Sequence, residues 1–234
     1  AKGLQIPTSW REWGLYIVLG MTGNFVYQVV FNQGLLTIPA ATSSIIMALT
    51  PMTTALMALV VYKDFMRPIG WLFTITAFAG VAIIILWNGP INVPMGAFWT
   101  LFGMILFAIY NIVNRGLSLK GHDPITVATW SMFTGAIMAL PFVSQAVATI
   151  AAAPPIAWLA IIYLACFSSA LGFVFWSYAL EHAEHVSDVT NFMYLSPVVA
   201  AIVAAILIGE IPDLGLYIGA PIILCSLYMF NKCR

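Results

Sequence analysis

The chain has 234 residues, of which 62% are hydrophobic and 7% are charged, and its formal net charge is zero. Soluble domains carry about 25% charged residues. This composition therefore predicts an integral membrane protein and argues against a soluble helical bundle, whose helices need a charged face. The balanced charge, without a basic patch, gives no indication of nucleic-acid binding.

Eight apolar segments follow one another along the chain. Each has the roughly 20 residues that a helix needs to cross a hydrocarbon core of about 30 Å. Lipid cannot satisfy the backbone hydrogen bonds of an irregular segment. We therefore expect eight transmembrane helices, at about residues 13–33, 40–62, 69–87, 97–118, 124–146, 156–180, 187–208 and 212–231.

The basic residues predict the orientation of these helices, because cytoplasmic loops of membrane proteins are enriched in lysine and arginine. With eight crossings, all of them fall on the face that holds the N-terminus: Lys2, Arg11, Lys63, Arg67, Arg115, Lys120, Lys232 and Arg234. We expect both ends in the cytoplasm. The first span is too long for a signal peptide and is expected to remain.

A short pattern occurs twice in the chain. Residues 44–51 read SIIMALTP, and residues 190–197 read TNFMYLSP; the same spacing pairs Asp64 with Glu210. The second and seventh predicted spans are five crossings apart, so the two copies run through the membrane in opposite directions. Inverted repeats of this kind are typical of secondary transporters.

The place of the repeat within the chain predicts two domains. With five helices per repeat, residues 91–234 form a complete second repeat and residues 1–90 form the last three helices of the first. We therefore expect two further helices ahead of Ala1 in the whole protein. The alternative is an authentic eight-helix protein.

These features resemble the EamA-type drug/metabolite transporter superfamily. The resemblance is carried by residues 44–51 with Asp64 and Gly80-Val81, and by residues 190–197 with Glu210. Asp64 replaces the usual glutamate of the family, and Ser226-Leu227 stands where the second copy would have Gly-Val. The resemblance implies an all-α integral membrane fold, a ten-helix bundle of two inverted five-helix repeats, with about eight helices present here. It also implies a carrier of the amino-acid exporter branch, which includes aromatic amino-acid exporters.

Polar residues inside the spans are the candidates for substrate binding, because the charged ends of an amino acid need polar partners within the membrane. Many of these polar residues are three or four positions apart and therefore lie on the same face of their helix. The side-chain amides of the asparagines and the glutamine could instead join helices by hydrogen bonds, and Trp176 could anchor its helix at the membrane interface. The candidates are Asn24, Gln28, Asn32, Ser43, Met47, Thr50, Thr54, Tyr110, Asn111, Asn114, Trp176, Asn191, Met193, Tyr194 and Ser196.

Pro51 and Pro197 occupy matching places in the two repeated stretches. A proline within a helix removes one backbone hydrogen bond and can kink the helix. We therefore regard both as candidate hinges, with passive kinks as the alternative.

The expected function is alternating-access export of small metabolites across a bacterial inner (plasma) membrane, with amino acids as the leading substrate class, and not catalysis. The acidic residues lie at or outside the predicted span ends. This favours either facilitated export or coupling through a peripheral carboxylate such as Asp188 or Glu210. Residues 181–188, EHAEHVSD, could supply metal ligands but lack the order found in zinc proteases. We interpret them as a solvated loop and expect no metal and no cofactor.

Other functions stay open at this point: a nucleotide-sugar or drug carrier of the same superfamily, a membrane enzyme, or a structural membrane subunit. The expected partners are a small-molecule substrate and the lipid bilayer, with no nucleic acid, and the protein is expected as a monomer or a homodimer. Cys166, Cys225 and Cys233 show no metal-type spacing and are interpreted as free thiols.

Overall fold

A computed structural model of the chain describes residues 4–38, 43, 46–87, 95–144, 147, 154–196, 198–199, 202–203, 206 and 214–233. Within this part of the chain the regular structure is entirely helical. We number its eight helices α1 Trp10–Leu35, α2 Thr50–Tyr62, α3 Pro68–Leu86, α4 Met95–Leu119, α5 Pro124–Phe142, α6 Pro155–His182, α7 186–195 and α8 Leu214–Lys232.

The helices lie where the eight spans are predicted, which confirms the all-α fold. α1, α4, α5 and α6 have 26, 25, 19 and 28 residues and are long and apolar enough to cross a membrane. α2 is an apolar helix of 13 residues, and α3 and α8 are apolar helices of 19 residues each. α7 covers the start of the seventh span, whereas Pro197 and Glu210 lie outside the described residues.

Several helices contain turns that are not α-helical. π-helical turns interrupt α1 at Gly20–Phe25 and α6 at Leu164–Leu171, and 3₁₀ turns occur at Leu140–Phe142 and Asn191–Leu195. In α1, the hydroxyl of Thr22 donates to the carbonyl oxygen of Val18 at 2.7 Å. The apolar pattern does not predict these turns, because one additional residue in a wide turn leaves the composition of a span unchanged.

Pro51 lies in the first turn of α2 and not in the middle of a continuous helix. α2 begins at Thr50, after a turn at residues 48–49. A proline is tolerated there because the first N–H groups of a helix have no partner within it. The hydroxyl of Thr50 donates to the carbonyl oxygen of Met47 at 2.6 Å. The backbone is thus irregular next to Pro51, while its role as a hinge stays a prediction.

By their contacts, the residues form two compact units. The first unit contains Ala1–Gln28 and Tyr110–Ala183, and the second contains Val29–Ile109 and Glu184–Arg234. This division by contacts is separate from the division into sequence repeats at residue 90, which stays a prediction.

In the first unit, α1 packs closely on α5. A Cβ atom added to Gly20 would lie 2.6 Å from the backbone nitrogen of Gly135, so the two helices approach backbone to backbone. The hydroxyl of Thr134 donates to the carbonyl oxygen of Tyr16 at 2.8 Å. Small residues and hydroxyl groups are the usual means of joining helices in membranes.

In the second unit, α3 packs on α8 by the same means. A Cβ atom added to Gly80 would lie 3.0 Å from the carbonyl oxygen of Gly219. The hydroxyls of Thr76 and Ser226 are hydrogen bonded at 2.9 Å. Around this contact is a buried core made of Ala48, Ala77, Val81, Tyr194, Val198, Ile223 and Leu227.

Candidate functional site

The first unit contains a buried polar group where α4 meets α6. Tyr110, Asn111 and Asn114 of α4 are completely buried. The indole Nε1 of Trp176 donates to Asn111 Oδ1 at 2.8 Å. Asn114 Nδ2 donates to the hydroxyl of Tyr110 at 3.1 Å and to Ser177 Oγ at 3.0 Å. The structure therefore brings four of the predicted site residues together.

These hydrogen bonds leave part of each amide without a partner. Asn111 Nδ2 and Asn114 Oδ1 are buried, and neither atom has a hydrogen-bond partner among the described residues. One is a donor and the other an acceptor. An unpaired buried polar atom costs about 1–3 kcal/mol. The group thus offers one donor and one acceptor to a molecule that enters it.

Asn24 belongs to the same unit, in the π-helical turn of α1. Its Nδ2 is a further buried atom that finds no partner in the described part of the chain. One residue before it, Gly23 lies directly against the ring of Tyr110, where a Cβ atom would collide. The absence of a side chain at Gly23 therefore lets this turn of α1 approach the polar group of α4.

The second unit contains a row of buried hydroxyls leading into α2. Ser43, Thr50 and Thr54 are fully buried, and Met47 is half-buried. Thr50 is bonded to the carbonyl of Met47, whereas Ser43 Oγ and Thr54 Oγ1 lack a partner among the described residues. The predicted spacing of these residues along one face therefore coincides with a row of buried oxygens.

α7 supplies a second polar group to this unit. The side chain of Asn191 donates from Nδ2 to Thr74 Oγ1 at 3.3 Å and is almost fully buried. Its Oδ1 and the hydroxyls of Thr190 and Tyr194 are buried and have no partner in the described residues. Tyr194 also packs into the apolar core of the unit.

The remaining predicted residues are less enclosed. Gln28, Asn32 and Ser196 are exposed, and Met193 is half-buried. Together with the buried groups they stay predictions for substrate binding.

Two contacts were not expected from the sequence. Arg115 is buried and donates from its guanidinium to the carbonyl oxygens of Leu180 and Glu181, at 2.5 and 3.1 Å, where α6 ends. His185 Nδ1 is bonded to a carboxylate oxygen of Asp64, and the other oxygen accepts from the backbone N–H of Val186 at 3.3 Å. Part of the stretch interpreted as a solvated loop is thus tied to the end of α2.

Comparison with known proteins connects this architecture with transport. The EamA-like transporter family matches residues 1–86 and 94–232. The chain is similar to a probable terminal-alkyne amino-acid exporter of Streptantibioticus cattleyicolor, with 29% identity over 98% of this chain and 76% of that protein. It is also similar to the uncharacterized transporter YyaM of Bacillus subtilis, with 29% identity over 81% of this chain and 64% of that protein.

Two further similarities agree with these. An S-adenosylmethionine uptake transporter of Rickettsia conorii is 25% identical over 90% of this chain and 67% of its own length. A crystal structure with 19% identity superposes with a TM-score of 0.77, covering 98% of this chain and 78% of the other, and shows the same fold. The names of the relatives indicate transport and not catalysis. The chain belongs to the EamA-like transporter family of the drug/metabolite transporter superfamily, and is a multi-pass membrane transporter.

Proposed function

We propose that the protein is an alternating-access secondary transporter that exports amino acids, with aromatic ones among the candidates, across a bacterial inner membrane. The observation that carries the proposal is the pair of buried amide atoms on α4, Asn111 Nδ2 and Asn114 Oδ1, that have no partner among the described residues. A polar substrate supplies the missing hydrogen bonds and so offsets their desolvation. Such atoms favour a small polar substrate over an apolar drug.

The named relatives support the same substrate class. One is named as an exporter of an amino acid and another as a carrier of S-adenosylmethionine, which also bears an amino group and a carboxylate. The donor Asn111 Nδ2 suits a carboxylate oxygen, and the acceptor Asn114 Oδ1 suits an ammonium group. The Trp176 indole beside them offers an aromatic surface to a substrate ring.

Counterflow in liposomes containing the full-length protein tests function and substrate together. Liposomes preloaded with unlabelled L-phenylalanine, L-leucine, L-threonine or S-adenosylmethionine receive the labelled compound outside. We expect transient accumulation of at least one amino acid, and a loss of most of it in Asn111→Ala. Protein-free liposomes are the control. Accumulation of S-adenosylmethionine alone would contradict the assignment to free amino acids, and accumulation of none would contradict the transport of these substrates.

We further propose that export is facilitated and not driven by protons. The described carboxylates lie at helix ends or in connections, namely Glu12, Asp64, Asp123, Glu181, Glu184 and Asp188. A proton carrier within a membrane is usually a buried carboxylate or histidine. Flux should therefore change less than twofold when a pH gradient of one unit is imposed, and a several-fold change would contradict the proposal.

A further inference from the structure

A cavity of about 480 Å³ lies at one end of the second unit, where α2 is followed by α3 and α7 begins. Its volume falls in the range of sites for small molecules, about 300–1,000 Å³. Three of its lining residues are charged, namely Arg67, Glu184 and Asp188. Four are large and apolar, namely Phe65, Met66, Ile69 and Phe230. We call this cavity the Arg67 pocket.

The positive side of the pocket is Arg67 at the start of α3. Arg67 is the N-cap residue of this 19-residue helix, and the dipole of a helix attracts anions to its N-terminus. The guanidinium forms no hydrogen bond or ion pair with any residue that the structure describes. A guanidinium binds a carboxylate with two parallel hydrogen bonds. This side of the pocket therefore suits a carboxylate.

The negative side comes from the start of α7. Asp188 accepts a hydrogen bond from the backbone N–H of His185 at 2.8 Å, which fixes the position of its carboxylate. Glu184, four residues before Asp188, also lines the pocket. The ring of His185 is turned to Asp64 and so is engaged by a different carboxylate. This side of the pocket therefore suits a cation such as an ammonium group.

The apolar floor depends on a glycine. A Cβ atom at Gly70 would lie 2.7 Å from Met66 Cγ and 3.4 Å from Phe230 Cε2, so the glycine allows both side chains to close the floor. A pocket with an anion site, a cation site and an apolar floor matches a zwitterion that carries an apolar side chain.

We propose that the Arg67 pocket binds a free α-amino acid at the membrane surface. The carboxylate lies on Arg67, the ammonium group on Glu184 and Asp188, and the side chain on Phe65, Met66 and Phe230. This inference rests on the proposed function for the substrate class. It adds a further site to the buried amide atoms of α4. A phosphatidylethanolamine headgroup has related chemistry, and the experiment separates it from an amino acid.

Equilibrium binding of tritiated L-phenylalanine to the full-length protein in phosphatidylcholine nanodiscs tests the charge requirement. We expect unlabelled L-phenylalanine, L-leucine and L-methionine to displace the label. Phenethylamine, which lacks the carboxylate, and 3-phenylpropionate, which lacks the ammonium group, should compete about tenfold less well, since each loses one charge-assisted contact. Equal competition by all of these compounds, or no binding of L-phenylalanine, would overturn the proposal.

Three variants locate the site. Arg67→Gln and Glu184→Gln should each weaken binding about tenfold by removing one charged partner. Lys63→Gln is the matched control, because it removes a positive charge four residues before Arg67 that does not line the pocket. Its affinity should equal that of the wild type. Unchanged affinity in Arg67→Gln, or equal loss in Lys63→Gln, would show that the site lies elsewhere.

The same proteins in counterflow separate this inference from the proposed function. Flux in the wild type together with unchanged affinity in Arg67→Gln overturns the pocket and leaves transport standing. Binding that depends on Arg67, without flux in the wild type, supports the pocket and overturns the function. If phosphatidylethanolamine in the nanodiscs displaces L-phenylalanine from the wild type, the pocket belongs to a lipid headgroup and the amino-acid assignment is overturned.

Discussion

The hydrogen bond from Trp176 to Asn111 fixes which atom of the Asn111 amide stays available. Because the indole donates to Oδ1 at 2.8 Å, the Nδ2 group is the one left without a partner in the described residues. Trp176 is therefore a positioning residue for a donor that suits a substrate carboxylate.

Trp176→Phe tests this role, because it keeps an aromatic ring and removes the indole N–H. We expect a melting temperature lower by about 2–4 °C, the effect of losing about 1 kcal/mol in a protein of this size. We also expect a raised KM for amino-acid flux. Trp87→Phe, at an exposed residue at the end of α3, is the matched control and should change neither value. A normal KM in Trp176→Phe would contradict the positioning role.

Thr54→Val separates a structural hydroxyl from one that binds substrate. Thr54 Oγ1 is buried and bonds to none of the described residues, so replacing it with a methyl group should leave stability unchanged or slightly raised. Counterflow should nevertheless fall several-fold. Thr53→Val on the same helix, at a half-buried position, should transport normally. Equal fluxes in the two variants would remove Thr54 from the site.

At this scale the sequence predicts polar residues better than it predicts their partners. Asn111, Asn114 and Asn191 are conspicuous because an amide is costly within an apolar span. Thr74 and Ser177 do not stand out in the sequence, since the hydroxyl of a serine or threonine can donate a hydrogen bond to a backbone carbonyl of its own helix. Their partners are 117 and 63 residues away along the chain, a relation that a local pattern does not contain.

The contact of α3 with α8 depends on two glycines that face each other. A Cβ atom on Gly219 would lie 2.5 Å from the carbonyl oxygen of Gly80 and would also meet the side chain of Ile84. In a membrane, close backbone approach is a main source of helix association, because lipid supplies little hydrophobic driving force. The pair therefore determines how tightly the second unit packs.

Gly219→Ala should lower the free energy of unfolding by about 1–3 kcal/mol, the usual effect of an oversized side chain in a packed contact. Thermal unfolding in detergent measures the change. Gly14→Ala is the control, because nothing lies within 4 Å of a Cβ atom there. Alanine at position 14 should be neutral or stabilising by up to about 1 kcal/mol through its helix propensity. Equal stabilities of the two variants would contradict the packing argument.

At the scale of elements, the sequence predicts the eight helices because length and hydropathy are local properties. It predicts the irregularity near Pro51 from a proline, though not that α2 begins there. It does not predict the π-helical turns of α1 and α6. The turn of α1 lies at a tertiary contact, Gly23 against the ring of Tyr110, which the local sequence does not contain.

At the scale of the whole molecule, the inferred orientation can be measured. In a protein with Cys166, Cys225 and Cys233 replaced by serine, a single cysteine is introduced at Lys120 or at Pro154, two exposed positions at opposite ends of the α5 region. A membrane-impermeant maleimide should label Pro154→Cys in spheroplasts and Lys120→Cys in inside-out vesicles. Labelling of both from one side would contradict the positive-inside assignment.

The π-helical turn of α1 bears on how that helix can move. The N–H of Val26 bonds to the carbonyl of Met21, five residues earlier. One residue passing into or out of such a turn rotates the rest of the helix by about 100° and advances it by about 1.5 Å. Gln28 would then point in a new direction while Tyr16 and Leu19 kept their buried places. The part of α1 that follows the turn, with Gln28, would thus rotate, while the part that precedes the turn stays packed in place.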